Sequence, residues 1–140
     1  MTEFELHPQL AADSLPLTDL ALSTVRLVND RTYPWLLLVP RMAGLVDLTD
    51  LPRAERITLS DEIQVTAEAL KSLGRCDKLN VASLGNQVPQ LHVHIIVRRT
   101  DDAAWPKPIW GVAPPQPYAS EEAERIIEAL RQHLPAGSVE

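Results

Sequence analysis

The chain has 140 residues, 45% of them hydrophobic and 23% charged, with a formal net charge of −6. This is long enough for one domain spanning 1–140 with a hydrophobic core, and the acidic balance argues against a general nucleic-acid or anionic-membrane binder while leaving room for a small phosphorylated ligand. No apolar run is long enough for a transmembrane helix, the acidic N-terminus Met1–Glu5 is not a secretory signal, and Cys76, the only cysteine, cannot form an internal disulfide, so a cytoplasmic protein is expected.

Residues 1–22 carry leucines interrupted by Pro8 and Pro16, which predicts a short helix or turn near 7–12 and then an extended approach to the first strand. His7 stands here without an evident partner and reads as an ordinary exposed or half-buried histidine. Residues 23–40 read as a β-hairpin: Ser23–Val28, a turn over 29–34, and the apolar run Trp35–Val39 of a strand covered on both faces, ended by Pro40. Asn29 and Asp30 are either turn formers or polar groups placed at a strand end to bind ligand hydroxyls.

Helical spacing over 49–74 predicts a long helix capped by Thr49 or Asp50, with Pro52 in its first turn and Gly74 at its end. Its apolar stripe is Ile57, Ile63, Ala67, Leu70 and Leu73, which reads as packing against a sheet. A strand is predicted over 78–84, a tight loop over 85–89 and a second, antiparallel strand over 90–98. Gly85 in that loop permits close backbone approach to a ligand.

The segment 99–118, rich in Pro and Trp, is irregular. Trp105 and Trp110 are left three roles: packing on the domain, covering a ligand site or filling a subunit interface. A last amphipathic helix over 120–134 has Ser120 as cap, Glu121 and Glu122 near its start, Ala123, Ile126, Ile127, Leu130 and Leu134 as stripe, and Pro135 and Gly137 as stop. His133 reads as a surface residue near its C-terminus. The element order predicts an α+β domain around an antiparallel sheet.

The stretch Gln90-Leu91-His92-Val93-His94-Ile95-Ile96 alternates polar and apolar side chains. On a strand this puts Gln90, His92 and His94 in one row, roughly 6.6–6.8 Å apart. Such a row has three readings. It is an ordinary half-exposed face, a metal site in want of further ligands, or a nucleophilic site. In the last, a neutral imidazole nitrogen attacks an activated phosphorus while its neighbour stabilises the charge on the phosphate oxygens.

Gln87-Val88-Pro89-Gln90-Leu91-His92-Val93-His94-Ile95-Ile96 resembles the signature of the histidine triad (HIT) superfamily, in which three histidines alternate with apolar residues. Asn80, Gly85 and Val88 stand where that family has an Asn, a Gly and a Val, Leu37–Arg41 is similar to its strand ending in Pro and a basic residue, and Asp30 lies near its ribose-binding acidic position. The resemblance implies a HIT-like antiparallel sheet of about five strands with helices packed on it, a homodimer, and a purine nucleotide as ligand. It implies nucleotidyl transfer to His92 and hydrolysis of the intermediate by water. Substrates would be dinucleoside polyphosphates, nucleoside phosphoramidates or similar conjugates, with no metal or organic cofactor. His92 then matches the nucleophile, His94 the phosphate-contacting histidine, Gln87 the residue that supports the leaving group and Asn80 an Asn near the phosphate. The candidate catalytic set is His92, His94, Gln90 and Gln87, and the candidate nucleotide-binding set is Asn29, Asp30, Asn80 and Asn86. The chain departs from the family with Gln90 at the first triad position, Ala43 where a His is frequent, and Gln87 in place of a hydroxyl. Gln keeps a donor and an acceptor but does not titrate, so the alternative function is a nucleotide-binding regulatory protein with little catalysis.

Overall fold

The computed structural model describes residues 3–135. Their elements run α1 (Pro8–Asp13), β1 (Ser14–Asp19), β2 (Ser23–Val28), β3 (Trp35–Pro40), a single 3-10 turn at Leu48–Asp50, α2 (Arg53–Lys71), β4 (Lys78–Ala82), β5 (Val93–Arg98) and α3 (Ser120–Arg131). The strands form one antiparallel sheet in the order β1-β2-β3-β5-β4, the five-stranded α+β arrangement that the resemblance implied. Among the described residues no helix is long and apolar enough to cross a membrane.

Alternation along the strands divides the side chains between two layers. Val25, Leu27, Leu36, Leu38, Val93, Ile95 and Val97 join Leu59, Ala67, Leu70 and Leu130 from α2 and α3 in the main core. The opposite face carries Val28, Leu37 and Val39 against Leu10 of α1, and Ile96 against Tyr33, Ala104 and Ile109. β3 is buried on both faces, as its unbroken apolar run required. Glu62, buried on α2, accepts from the backbone N–H groups of Leu22 (2.7 Å) and Ser23 (3.0 Å), tying the helix to the β1–β2 turn.

Several boundaries differ from the sequence-based expectation, each for a local reason. The segment expected as an approach to the sheet is the edge strand β1, its register broken between Pro16 and Thr18. Proline lacks an N–H and is tolerated at such an edge. The long helix begins at Arg53 because Leu51, preceding Pro52, is held extended (φ −76°, ψ 133°), the conformation a following proline imposes. Asp50 instead accepts from the N–H groups of Val46 and Asp47. Ile57 is 51% exposed. It stands about 200° around the helix from Leu59, at 3.6 residues per turn, and so faces away from the sheet. The packed stripe is Leu59, Glu62, Ile63, Thr66, Ala67 and Leu70. The cap of α3 is Ala119, with Ser120 as its first helical residue, and the helix ends at Arg131. Gly137 lies outside the described residues. His7 is half-buried and caps α1, its Nδ1 accepting from Gln9 N–H, while His133 is exposed.

The largest departure lies between β4 and β5. These strands are antiparallel neighbours, but β5 begins at Val93 and the connection spans 83–92. Pro89 has no N–H to give a ladder, and the Leu91 N–H bonds to Leu45 O (3.0 Å). Gly85 opens the connection with φ +72°, the left-handed region where a Cβ is disfavoured.

Candidate active site

The 83–92 connection, α1, the β2–β3 turn and the 109–117 loop enclose a cavity of about 760 Å³ on the face opposite α2 and α3, within the size range of small-molecule sites. His92 and His94 both line it, as do Asn29, Asp30, Asn86 and Gln87. Gln90 and Asn80 do not. The row of three polar side chains expected on one strand is therefore corrected: His94 lies on β5, His92 immediately precedes it, and the Gln90 amide is used elsewhere. Gln90 Oε1 accepts from His7 N–H (2.9 Å) and its Nε2 donates to Glu5 O (2.8 Å). Asn80 lies on β4, where its Oδ1 accepts from Arg98 (2.8 Å).

The histidines are buried and stacked edge to face with centroids 4.9 Å apart. His92 Nδ1 lies 2.7 Å from Gln90 O. A carbonyl only accepts, so this nitrogen carries the proton, and in the neutral imidazole Nε2 holds the lone pair. His94 has the complementary arrangement: Trp35 Nε1 donates to its Nδ1 at 3.1 Å. Burial first, and the neighbouring His92 second, pull the His94 pKa down to about 4, because both disfavour the imidazolium. The ring is neutral at neutral pH. Trp110 closes the opposite side, 5.0 Å from His94 and 6.3 Å from Trp35 by ring centroids.

The low pKa is also a statement about stability. Between about 4 and 6.5, an unfolded chain holds a proton on His94 that the folded chain does not. The unfolded state then binds more protons, so stability falls as pH falls through this window and is complete above it. The 2.5-unit span corresponds to about 3 kcal/mol at most. Urea unfolding at pH 7 and pH 4.5 is expected to show this loss, and His94→Gln to reduce the difference. An equal pH dependence in the variant would refute the assignment.

Asn29 and Asp30 act as turn formers and also line the cavity. Asn29 Oδ1 accepts from Tyr118 N–H (2.9 Å), and Asp30 Oδ1 accepts from the N–H groups of Thr32 (3.0 Å) and Gln116 (3.1 Å). Asp30 Oδ2 has no hydrogen-bond partner among the described residues. The tryptophans of the irregular segment part company. Trp105 packs on the domain, with the Arg98 guanidinium 5.5 Å from its ring centroid, and Trp110 lines the cavity.

The sequence reading missed Trp35, Tyr33 and the apolar wall of Leu10, Val28 and Leu37 as site residues. For Trp35 a signal existed: a buried indole N–H generally finds an acceptor, and the polar row on the paired strand held the candidates. Among the described residues no group of three or more His, Cys, Asp or Glu side chains is placed to hold a metal ion.

The family model described as HIT domain matches residues 10–101. Three solved structures are similar over nearly the whole chain. A histidine triad protein from Bradyrhizobium japonicum is 48% identical with a TM-score of 0.93, covering 96% of this chain and 100% of its own. One from Marinobacter aquaeolei VT8 is 44% identical, with a TM-score of 0.92 and coverages of 95% and 97%. One from Sinorhizobium meliloti 1021 is 37% identical, with a TM-score of 0.91 and coverages of 94% and 97%. None of the curated proteins matches the chain.

Proposed function

The chain belongs to the HIT domain family, and from that premise we propose that it is a nucleotidyl hydrolase or transferase acting through His92. One observation carries this reading: the His92 Nδ1–H is committed to Gln90 O, which leaves Nε2 as a neutral nucleophile on a ring that lines the cavity. Its lone pair attacks the α-phosphorus of a dinucleoside polyphosphate, nucleoside phosphoramidate or similar conjugate. The Nε2–P bond forms as the bond from phosphorus to the leaving oxygen or nitrogen breaks, and the leaving group takes that electron pair. Water then attacks phosphorus, the Nε2–P bond breaks with its electron pair returning to Nε2, the water's proton passes to solvent, and a nucleoside monophosphate is released.

The surrounding residues support this assignment. The apolar wall of Leu10, Val28, Leu37 and Val88 suits a base, and the second oxygen of Asp30 suits a ribose hydroxyl. Asn86 and Gln87 supply amide donors for phosphate oxygens and the leaving group. Neutral His94 supplies a further donor. Asn80 and Gln90 are left with structural roles, holding Arg98 and the 5–7 segment. The cytoplasmic setting and the homodimer belong to the same proposal. For the latter, the supporting feature is the edge strand β4, where Val81 is 48% exposed.

The test is a panel of adenylyl and guanylyl conjugates, each incubated with the purified protein and quenched without acid. Release of AMP or GMP is expected, together with a nucleotidyl group on the His92 peptide by mass spectrometry. Nucleotide binding in a calorimeter without turnover of any conjugate would transfer the assignment to the regulatory alternative. Neither binding nor turnover would overturn both.

A further inference from the structure

Trp35 is more than a wall of the cavity, because its indole nitrogen is hydrogen-bonded to His94. Its indole nitrogen has one hydrogen-bonding capacity, that of a donor. It spends this on Nδ1 of His94, a buried ring on the adjacent strand β5. The consequence is chemical. A neutral imidazole whose Nδ1 accepts must carry its proton on Nε2. Protonating Nδ1 would set two N–H groups against each other, which adds to the burial that already holds the His94 pKa near 4. His92 is held in the opposite tautomer by Gln90 O. The two stacked rings thus offer the cavity a lone pair from one Nε2 and a proton from the other.

We propose that Trp35 is a positioning residue that fixes the tautomer of His94, so that its Nε2–H meets the non-bridging oxygens of the phosphoryl group under attack by His92. The substrate part of this inference rests on the nucleotidyl reading above; the tautomer part rests on geometry alone. A donor aimed in advance at developing charge needs no reorganisation during the reaction. Without the indole N–H, His94 is free to place its proton on either nitrogen, and part of the population presents a lone pair to an anionic oxygen.

The experiment has a readout independent of turnover. Long-range ¹H–¹⁵N spectra of the substrate-free wild-type protein at pH 7 are expected to show His94 protonated on Nε2 and His92 on Nδ1. In Trp35→Phe, which removes the N–H and keeps an aromatic ring, His94 is expected to become a tautomer mixture while His92 stays unchanged. Its kcat is expected to fall about tenfold, with KM within about threefold, since the lost donor acts on developing charge. Trp35→His puts an imidazole nitrogen at the place of the indole nitrogen and is expected to restore part of the kcat. Protonation of His94 on Nδ1 in the wild-type protein would overturn the proposal. So would a Trp35→Phe protein with the wild-type tautomer and kcat. A tautomer change in Trp35→Phe alongside a wild-type protein that turns over no conjugate defeats the nucleotidyl reading and leaves the hold of Trp35 on His94 standing.

Discussion

His92→Asn is expected to lower nucleotidyl turnover by at least about a thousandfold and to abolish the covalent adduct, while nucleotide binding stays within about tenfold of wild type. Asparagine makes the comparison sharp. Its amide nitrogen sits near the position of Nδ1, so it can keep the bond to Gln90 O seen at 2.7 Å, yet it has nothing in place of Nε2. What is removed is the nucleophile; the tether and much of the volume remain. His92→Ala removes all three and is expected to be equally inactive and less stable. If activity depended only on binding and on the donors around the phosphate, His92→Asn would retain most of it. Single-turnover kinetics, with mass spectrometry of the quenched protein, separates these outcomes. More than a tenth of the wild-type kcat in His92→Asn would place the nucleophile elsewhere.

The parts of this site legible in the sequence were those carried by local patterning. Alternation around His92 and His94 marked a strand with one polar face, turn residues marked the β2–β3 hairpin, and Pro and Trp density marked the irregular segment. Contacts between distant residues were not legible. Gln90 sits two positions from His92 in the chain, and pattern alone assigns it to the same row. Its actual partners are the backbone of Glu5 and His7, more than 80 positions away. Asn80 likewise has the right residue type and strand, but Arg98, 18 positions on, takes its oxygen. Periodicity reports which face a side chain occupies and is silent on which neighbour claims its hydrogen bonds. The same limit explains Trp35: its run read correctly as a buried strand, while the acceptor for its N–H lies 59 positions away. It also explains why Trp105 and Trp110 could not be told apart until the fold placed one over Arg98 and the other beside His94.

Asp102→Ala is expected to cost about 3–5 kcal/mol of stability, the penalty for leaving a buried charge without its partner. Arg98 is 1% exposed. Its Nε and one terminal nitrogen reach the two oxygens of Asp102 at 2.8 and 3.1 Å, and its other terminal nitrogen reaches Asn80. Asp102 also accepts from the backbone N–H groups of Arg99, Ala104 and Trp105. Burial alone would raise its pKa, but the bonds from Arg98 and from those N–H groups outweigh it and hold the carboxyl at about 2. The folded value lies below the ordinary 3.8. Its stabilisation is therefore complete above that pH and is lost only as pH falls through about 2, so the pair is intact at neutral pH. Alanine leaves the guanidinium buried and unneutralised and takes the acceptor from the Arg99 and Ala104 N–H groups, while the Trp105 N–H keeps only the backbone Asp102 O at 3.3 Å. Those groups define the turn that starts the segment running to Trp110, so the damage is expected to reach the site as weaker nucleotide binding. Asp102→Asn keeps part of the acceptor geometry without the charge and is expected to cost less. Removing both charges in Arg98→Met/Asp102→Leu is expected to recover part of the loss, because no isolated ion remains. Urea unfolding of the four proteins at pH 7 provides the comparison, and a loss below about 1 kcal/mol in Asp102→Ala would show that water reaches Arg98 and that the pair does not anchor the loop.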